Sequence, residues 1–348
     1  MSRQLAALRG LAILLVVFNH SIHMQAWFCE RWTCPPIEGW ERYIMLVLSQ
    51  IGLFAVPIFL FISGCFATYM AQSNPARLSW KPIWNGLGHT LWPYFFWSVV
   101  FYILLYLGYG ERYSLTKYLT NLVVGYPYNF VPLFVFWYVM SPLLVYVSKR
   151  WGWAPIGIIA LYQLTLINFR SPGILGFTFP IGMRFIVPPV LGQTMTDWGI
   201  YFPLGVAFSV HSRSLTPWLQ KWRYVFMAVT VVLFVLGVLD TMSILRFPLA
   251  IYLCPFMALF FAYLVKRESV PKVRYVEYVG NRSYGIYLMN LIVLDCILLA
   301  IEKLSPLLLY SRVLLLPFLF ILTLGIPLAM MSSLARLSTR PVYRYVFG

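Results

Sequence analysis

Charge is what this chain lacks most. Of 348 residues only 10% are charged, and acids are scarcest, 10 Asp and Glu against 26 Lys and Arg. A soluble domain carries about 25% charged residues, so this chain cannot cover itself with a water-facing surface. Cysteine is also sparse, five in all. Cys65, Cys254 and Cys296 fall in apolar stretches, where they read as small packing residues. Cys29 and Cys34 share the short stretch "WFCERWTCPP", which permits a disulfide in an oxidising compartment or two free thiols. No His or further Cys stands nearby at ligand spacing, so no metal site is expected. Internal repeats, low-complexity tracts and flexible linkers are absent, which leaves one domain over 1–348. The first apolar run, Leu5 to Met24, lacks a small-residue cleavage site and is read as a retained helix, not a signal peptide.

What is present in excess is apolar surface. Hydrophobic residues make up 61% and aromatics 18% of the chain, with 13 Trp and 24 Tyr to anchor two membrane interfaces. Apolar stretches near the ~20 residues needed to cross a bilayer fall at roughly 5–25, 43–70, 86–108, 130–148, 153–169, 197–211, 224–240, 245–265, 282–301 and 309–334. The expected fold is therefore all-α, a polytopic transmembrane bundle of about ten helices. The second stretch is long enough to tilt or to break at Pro57.

The net charge of +16 has a pattern. Most Lys and Arg lie at the N-terminus, in the even-numbered loops and in the C-terminal tail, where Glu268 and Glu277 are the only acids. The odd loops hold most of the acids. By the positive-inside rule both termini are cytoplasmic, in agreement with an even helix count. The basic excess is then a topology signal, and nucleic acid drops out as a partner. The longest connection, residues 170–196, lies on the outer side and is apolar but interrupted by four prolines, with Arg170 and Arg184 in it. It reads either as a re-entrant segment or lid over an outward-facing site, or as an ordinary interfacial loop.

Two residues of the first helix stand out. Arg9 and His20 are eleven residues apart; at about 100° and 1.5 Å per residue they share one face, roughly 16 Å from each other along the axis. Arg9 then sits at the cytoplasmic mouth and His20 past mid-membrane. Ionisable groups inside a span usually face the bundle interior and carry function. An arginine near a helix end can also simply snorkel, and Asn19, His20 and Ser21 can serve as hydrogen-bonding glue between helices. As chemistry, Arg suits a phosphate or carboxylate and neutral His suits a general base. Together they fit a phosphorylated donor entering from the cytoplasm and reacting deep in the membrane. On the ninth span, Asn290 reads as a substrate contact or as packing. Asp295 lies at a depth near that of His20; it reads as an imidazole-orienting carboxylate or as a solvated helix end.

The stretch "LRGLAILLVVFNHS" (8–21) resembles the opening motif of the acyltransferase-3 family of integral-membrane acyltransferases. "FLFISGCF" (59–66), "LWPYFFW" (91–97), "LFVFWYVMSPLL" (133–144) and "NRSYGIYLMN" (281–290) are similar to later family segments and occur in the same order. The resemblance implies transfer of an acyl group, commonly acetyl from acetyl-CoA, to a hydroxyl of an extracytoplasmic or cell-surface carbohydrate. Placement is then the inner (plasma) membrane. It makes Arg9 and His20 the functional pair and puts Ser63 and Gly64 in the second-helix motif. Two motifs depart from the family pattern. Asn290 stands where many members have His, and Gly86 and His89 stand where many have an Arg pair ahead of Pro93.

The expected function is a short-form O-acyltransferase with His20 and Arg9 as catalytic residues. His20 takes the proton of the acceptor hydroxyl or relays the acyl group, and Arg9, with Lys81 or His89, contacts the donor phosphates. Ser63, Arg184, Asn290 and Asp295 complete the expected substrate contacts. Acyl-CoA is a donor substrate and not a resident cofactor; the other partners are the carbohydrate acceptor and membrane lipid. The alternative is a transporter or flippase of a glycan or lipid-linked glycan intermediate, for which an intramembrane His would be a proton relay.

Overall fold

The computed structural model describes the chain apart from positions 1, 32–33, 36, 73–80 and 338–339; the side chains at 2–3, 70–72, 81–82, 181 and 340–341 also lie outside what is described. Among the described residues every regular element is helical. In chain order these are α1 (Ser2–Arg31), α2 (Gly39–Gly52), α3 (Ala55–Gln72), α4 (Lys81–Tyr109) and α5 (Leu115–Val124). Then come α6 (Phe130–Trp151), α7 (Ala154–Arg170), α8 (Gly192–Trp198), α9 (Tyr201–Val210) and α10 (Ser212–Thr241). The last are α11 (Ala250–Ala262), α12 (Val273–Gly280), α13 (Ser283–Leu304), α14 (Arg312–Leu337) and α15 (Arg340–Phe347).

The all-α polytopic reading holds. Among the described residues seven stretches are long and apolar enough to cross a membrane: α1, α2 with α3, α4, α6, α10, α13 and α14. The other three expected spans are helical but shorter, namely α7, the α8–α9 pair and α11. The second span does break, at Leu53–Phe54, where backbone bonds tighten to Leu53 N→Gln50 O and Phe54 N→Ile51 O. Pro57 therefore lands in the first turn of α3, where its missing N–H leaves no helical bond unmade. Pro93 sits well inside α4, which begins at Lys81.

The chain divides into two compact units. The first comprises 1–55, 88–114 and 267–348; the second comprises 56–87 and 115–266. In the first, α1 packs on α12, α13 and α14. A Cβ added at Gly10 would fall 2.1 Å from Val276 O, and one at Gly280 would fall 2.1 Å from Ala6 O, so α1 and α12 touch backbone to backbone. The small α15 docks its Phe347 under Trp97, whose Nε1 donates to Val346 O at 2.8 Å. In the second unit α3 and α9 meet in the same manner as α1 and α12. Gly64 faces Phe202 O and Gly205 faces Phe61 O, each leaving no room for a Cβ. Rings of Phe61, Phe208, Phe260 and Phe226 pack in series beside that crossing. Of the spans, α13 is the most enclosed, as suits the helix carrying Asn290 and Asp295, whereas α10 is bare over most of its length, as a lipid-facing helix can be.

Candidate active site

The polar triplet of α1 points three ways. Ser21 Oγ returns its hydrogen to Val17 O at 2.8 Å, a back-bond inside the helix. Asn19 lies against the bare Cα of Gly52 on α2. His20 reaches across to α13, where its Nδ1 meets Asn290 Oδ1 at 2.5 Å.

That contact has a direction. Asn290 is fully buried, and its amide Nδ2 donates to two carbonyls of its own helix, Ile286 O at 3.1 Å and Tyr287 O. The amide is thereby held with oxygen toward His20. A carbonyl oxygen only accepts, so His20 Nδ1 carries the hydrogen and Nε2 is left with the free lone pair. The Tyr287 ring stands beside the imidazole with centroids 6.2 Å apart. The result is a half-buried, oriented imidazole.

Asp295 does not orient His20. Its carboxylate takes the hydrogen of Tyr109 OH. Tyr109 in turn lies under the Arg31 guanidinium, 4.4 Å from its ring centroid, and Arg31 pairs with Glu111 at 3.1 Å. These groups tie the C-terminal ends of α1 and α4 to α13. Tyr109 gave no sequence signal, being one aromatic among many and 186 residues from its partner.

The other expected residues fall as follows. Arg9 is partly buried on α1, next to the Gly10 crossing. His89 is exposed on α4, and the neighbouring carbonyl of Thr90 accepts from Tyr284 OH at 2.6 Å. Lys81 opens α4, and its side chain is outside the described residues. Gly86 lies against the Tyr138 hydroxyl, 2.2 Å from where a Cβ would be, so an arginine at this position would meet that ring. Ser63 donates to Phe59 O at 2.8 Å, and Gly64 is taken up by the α3–α9 crossing. That segment packs helices with the hydroxyl hydrogen already committed. Arg184 is exposed in the 170–196 segment and lines a cavity in the second unit. Cys29 and Cys34 are free thiols joined by a backbone bond, Cys34 N→Cys29 O at 2.9 Å. Among the described residues no three His, Cys, Asp or Glu side chains gather as a metal site would need.

An oriented imidazole inside a helical bundle is suited to taking a proton from a hydroxyl. A sequence-family model described as an acyltransferase domain matches residues 3–332. No curated protein and no solved structure matches the chain. The family match runs from the first turn of α1 through most of α14, and the chain therefore belongs to the acyltransferase-3 family, as a multi-pass membrane acyltransferase.

Proposed function

We propose that the protein is an O-acetyltransferase of the inner membrane, moving an acetyl group from cytoplasmic acetyl-CoA to a hydroxyl of an extracytoplasmic carbohydrate. The observation that carries this reading is the fixed tautomer of His20, with Nδ1–H on Asn290 and Nε2 free. Nε2 takes the acceptor's hydroxyl proton as the oxygen attacks the thioester carbonyl. The tetrahedral adduct then collapses, breaking the C–S bond, and the imidazolium returns its proton to the departing CoA thiolate. A hydroxyl ester and free CoA thiol result, with no redox step and no metal. Arg9 is assigned to the donor phosphates, since a guanidinium pairs with them in a bidentate fork, and His89 and Lys81 are assigned to the same end.

Purified protein in lipid discs, given labelled acetyl-CoA and a candidate glycan, tests the reading. Ester formation should fall by about 10²–10⁴ in His20→Ala, the usual worth of a positioned general base. Arg9→Gln should raise KM for the donor more than it lowers kcat. Movement of the glycan across the bilayer without any acyl transfer would establish the transporter reading instead.

A further inference from the structure

The long connection after α7 is held in place. From α7, Tyr162 OH donates to Ile186 O at 2.9 Å and Asn168 Nδ2 to Phe177 O at 3.0 Å. Gln163 holds the far end twice, donating to Thr196 O at 2.9 Å and accepting from Ile200 N at 3.0 Å. Beneath the segment is a cavity of about 680 Å³, within the range of small-ligand sites. Phe169, Pro188 and Pro189 give it an apolar wall, and Arg170, Arg184 and Gln193 give it polar groups.

Its charges do not balance. Arg170 is paired with Asp197, Nη1 to Oδ1 at 2.5 Å. Arg184 has no acidic partner among the described residues. Two guanidinium groups thus line the cavity; a carboxylate neutralises that of Arg170, and Arg184 is left with its fork of donors open. An apolar wall for the CH face of a ring, an amide for hydroxyls and an unneutralised fork describe a site for an acidic sugar.

We propose that this cavity binds the carboxylate or phosphate of an acidic sugar in the acceptor, with Arg184 as the contact to the anion. This rests on the acyltransferase reading for the word acceptor, and on the cavity alone for the charge preference.

Three sugars of one stereochemistry serve as probes: methyl glucoside, its uronate and its 6-phosphate. Their affinities are measured by titration calorimetry on wild-type protein and Arg184→Gln in phosphatidylcholine discs. At least one acidic sugar should bind about tenfold tighter than the neutral one, as a charge-assisted hydrogen-bonded pair allows. Arg184→Gln should remove most of that preference, and Arg184→Lys should keep only part of it, since the charge stays but the fork is lost. Arg184 is exposed, so an unchanged unfolding temperature will show that the variants are folded. Equal affinity for the three sugars, binding of none, or an undiminished preference in Arg184→Gln overturns the proposal. So does loss of acidic-sugar binding when phosphatidylglycerol is added, because the cavity would then be a lipid-headgroup site. Acetyl transfer without charge preference sinks this inference and spares the enzyme reading; charge preference without acetyl transfer does the reverse.

Discussion

At the scale of single residues, Asn290 decides the chemistry at His20. An asparagine in the orienting position is hazardous when its amide is free to turn, because an NH₂ facing the imidazole selects the wrong tautomer. Here the two helix carbonyls that hold Nδ2 remove that freedom. Asn290→Ala should therefore leave KM close to wild type and lower kcat by about one to two powers of ten, through loss of orientation. Asn290→Asp keeps an acceptor at Nδ1 but sets its second oxygen against the Ile286 and Tyr287 carbonyls, so it should recover only part of that loss. Equal kcat for wild type and Asn290→Ala would remove the residue from the mechanism. The shared face of Arg9 and His20 can be read from sequence because both sit on one helix and their spacing alone fixes it. Asn290 as partner cannot, since the contact spans 270 positions and periodicity within one helix is silent about its neighbours. Depth alone also misled for Asp295. It matches His20 along the membrane normal, but five residues beyond Asn290 is about 140° around α13, so the two cannot face one imidazole.

At the scale of elements, the family-like motifs prove to be places where helices touch. Gly10 of "LRG" and Gly64 of "ISG" each meet a backbone carbonyl of another helix, and Gly280 and Gly205 return the contact from the other side. Lipid gives no hydrophobic push between helices, so small residues that let backbones close are a main source of packing energy in membranes. The sequence showed these glycines as part of a motif; their partners were hidden because α12 and α9 are remote in the chain. Ser63, read as a substrate contact, is one residue from such a crossing and bonds to its own helix. Gly64→Ala and Gly205→Ala should each cost about 1–3 kcal/mol, the usual range for overpacking. Gly157→Ala is the internal control: it is helical and meets nothing within 4 Å, so it should be neutral or stabilising by up to about 1 kcal/mol. Thermal unfolding of the three variants in detergent reads the difference. Equal melting points for Gly64→Ala and Gly157→Ala would show that the crossing does not hold the unit.

At the scale of the whole molecule, the open quantity is how many times the chain crosses. Among the described residues seven stretches have full span length, and an odd number of crossings would put the two termini on opposite sides. The charges argue against that. Arg3 and Arg9 at one end and Arg336, Arg340 and Arg344 at the other are both basic clusters with no acid among them, and the positive-inside rule assigns both to the cytoplasm. Both statements hold only if one or all three of the shorter elements cross as well. Each can come close. At about 1.5 Å per residue, Gly192–Val210 reaches roughly 28 Å across α8 and α9, and the 17 residues of α7 roughly 25 Å. The 13 residues of α11 give about 20 Å, so the bilayer must thin there or the flanking turns must lie below the surface. Hydropathy windows marked these segments correctly as apolar, but window length carries no information on where the helix itself stops. The test uses positions on either side of each short element that are exposed or, at Gly152, half-buried, placed one at a time as cysteine in a chain with its five cysteines replaced. Ser171→Cys and Ser243→Cys, with Ser114→Cys as an outer reference, should react with a membrane-impermeant maleimide on intact cells. Gly152→Cys, Ser214→Cys and Ser269→Cys should react only after permeabilisation. Gly152 and Ser171 labelling from the same side would take α7 out of the membrane, Ser171 and Ser214 would do so for α8–α9, and Ser243 and Ser269 for α11. An odd number of such losses would also move the C-terminal arginines outside, against the charge rule, so the six positions test the count and the orientation together.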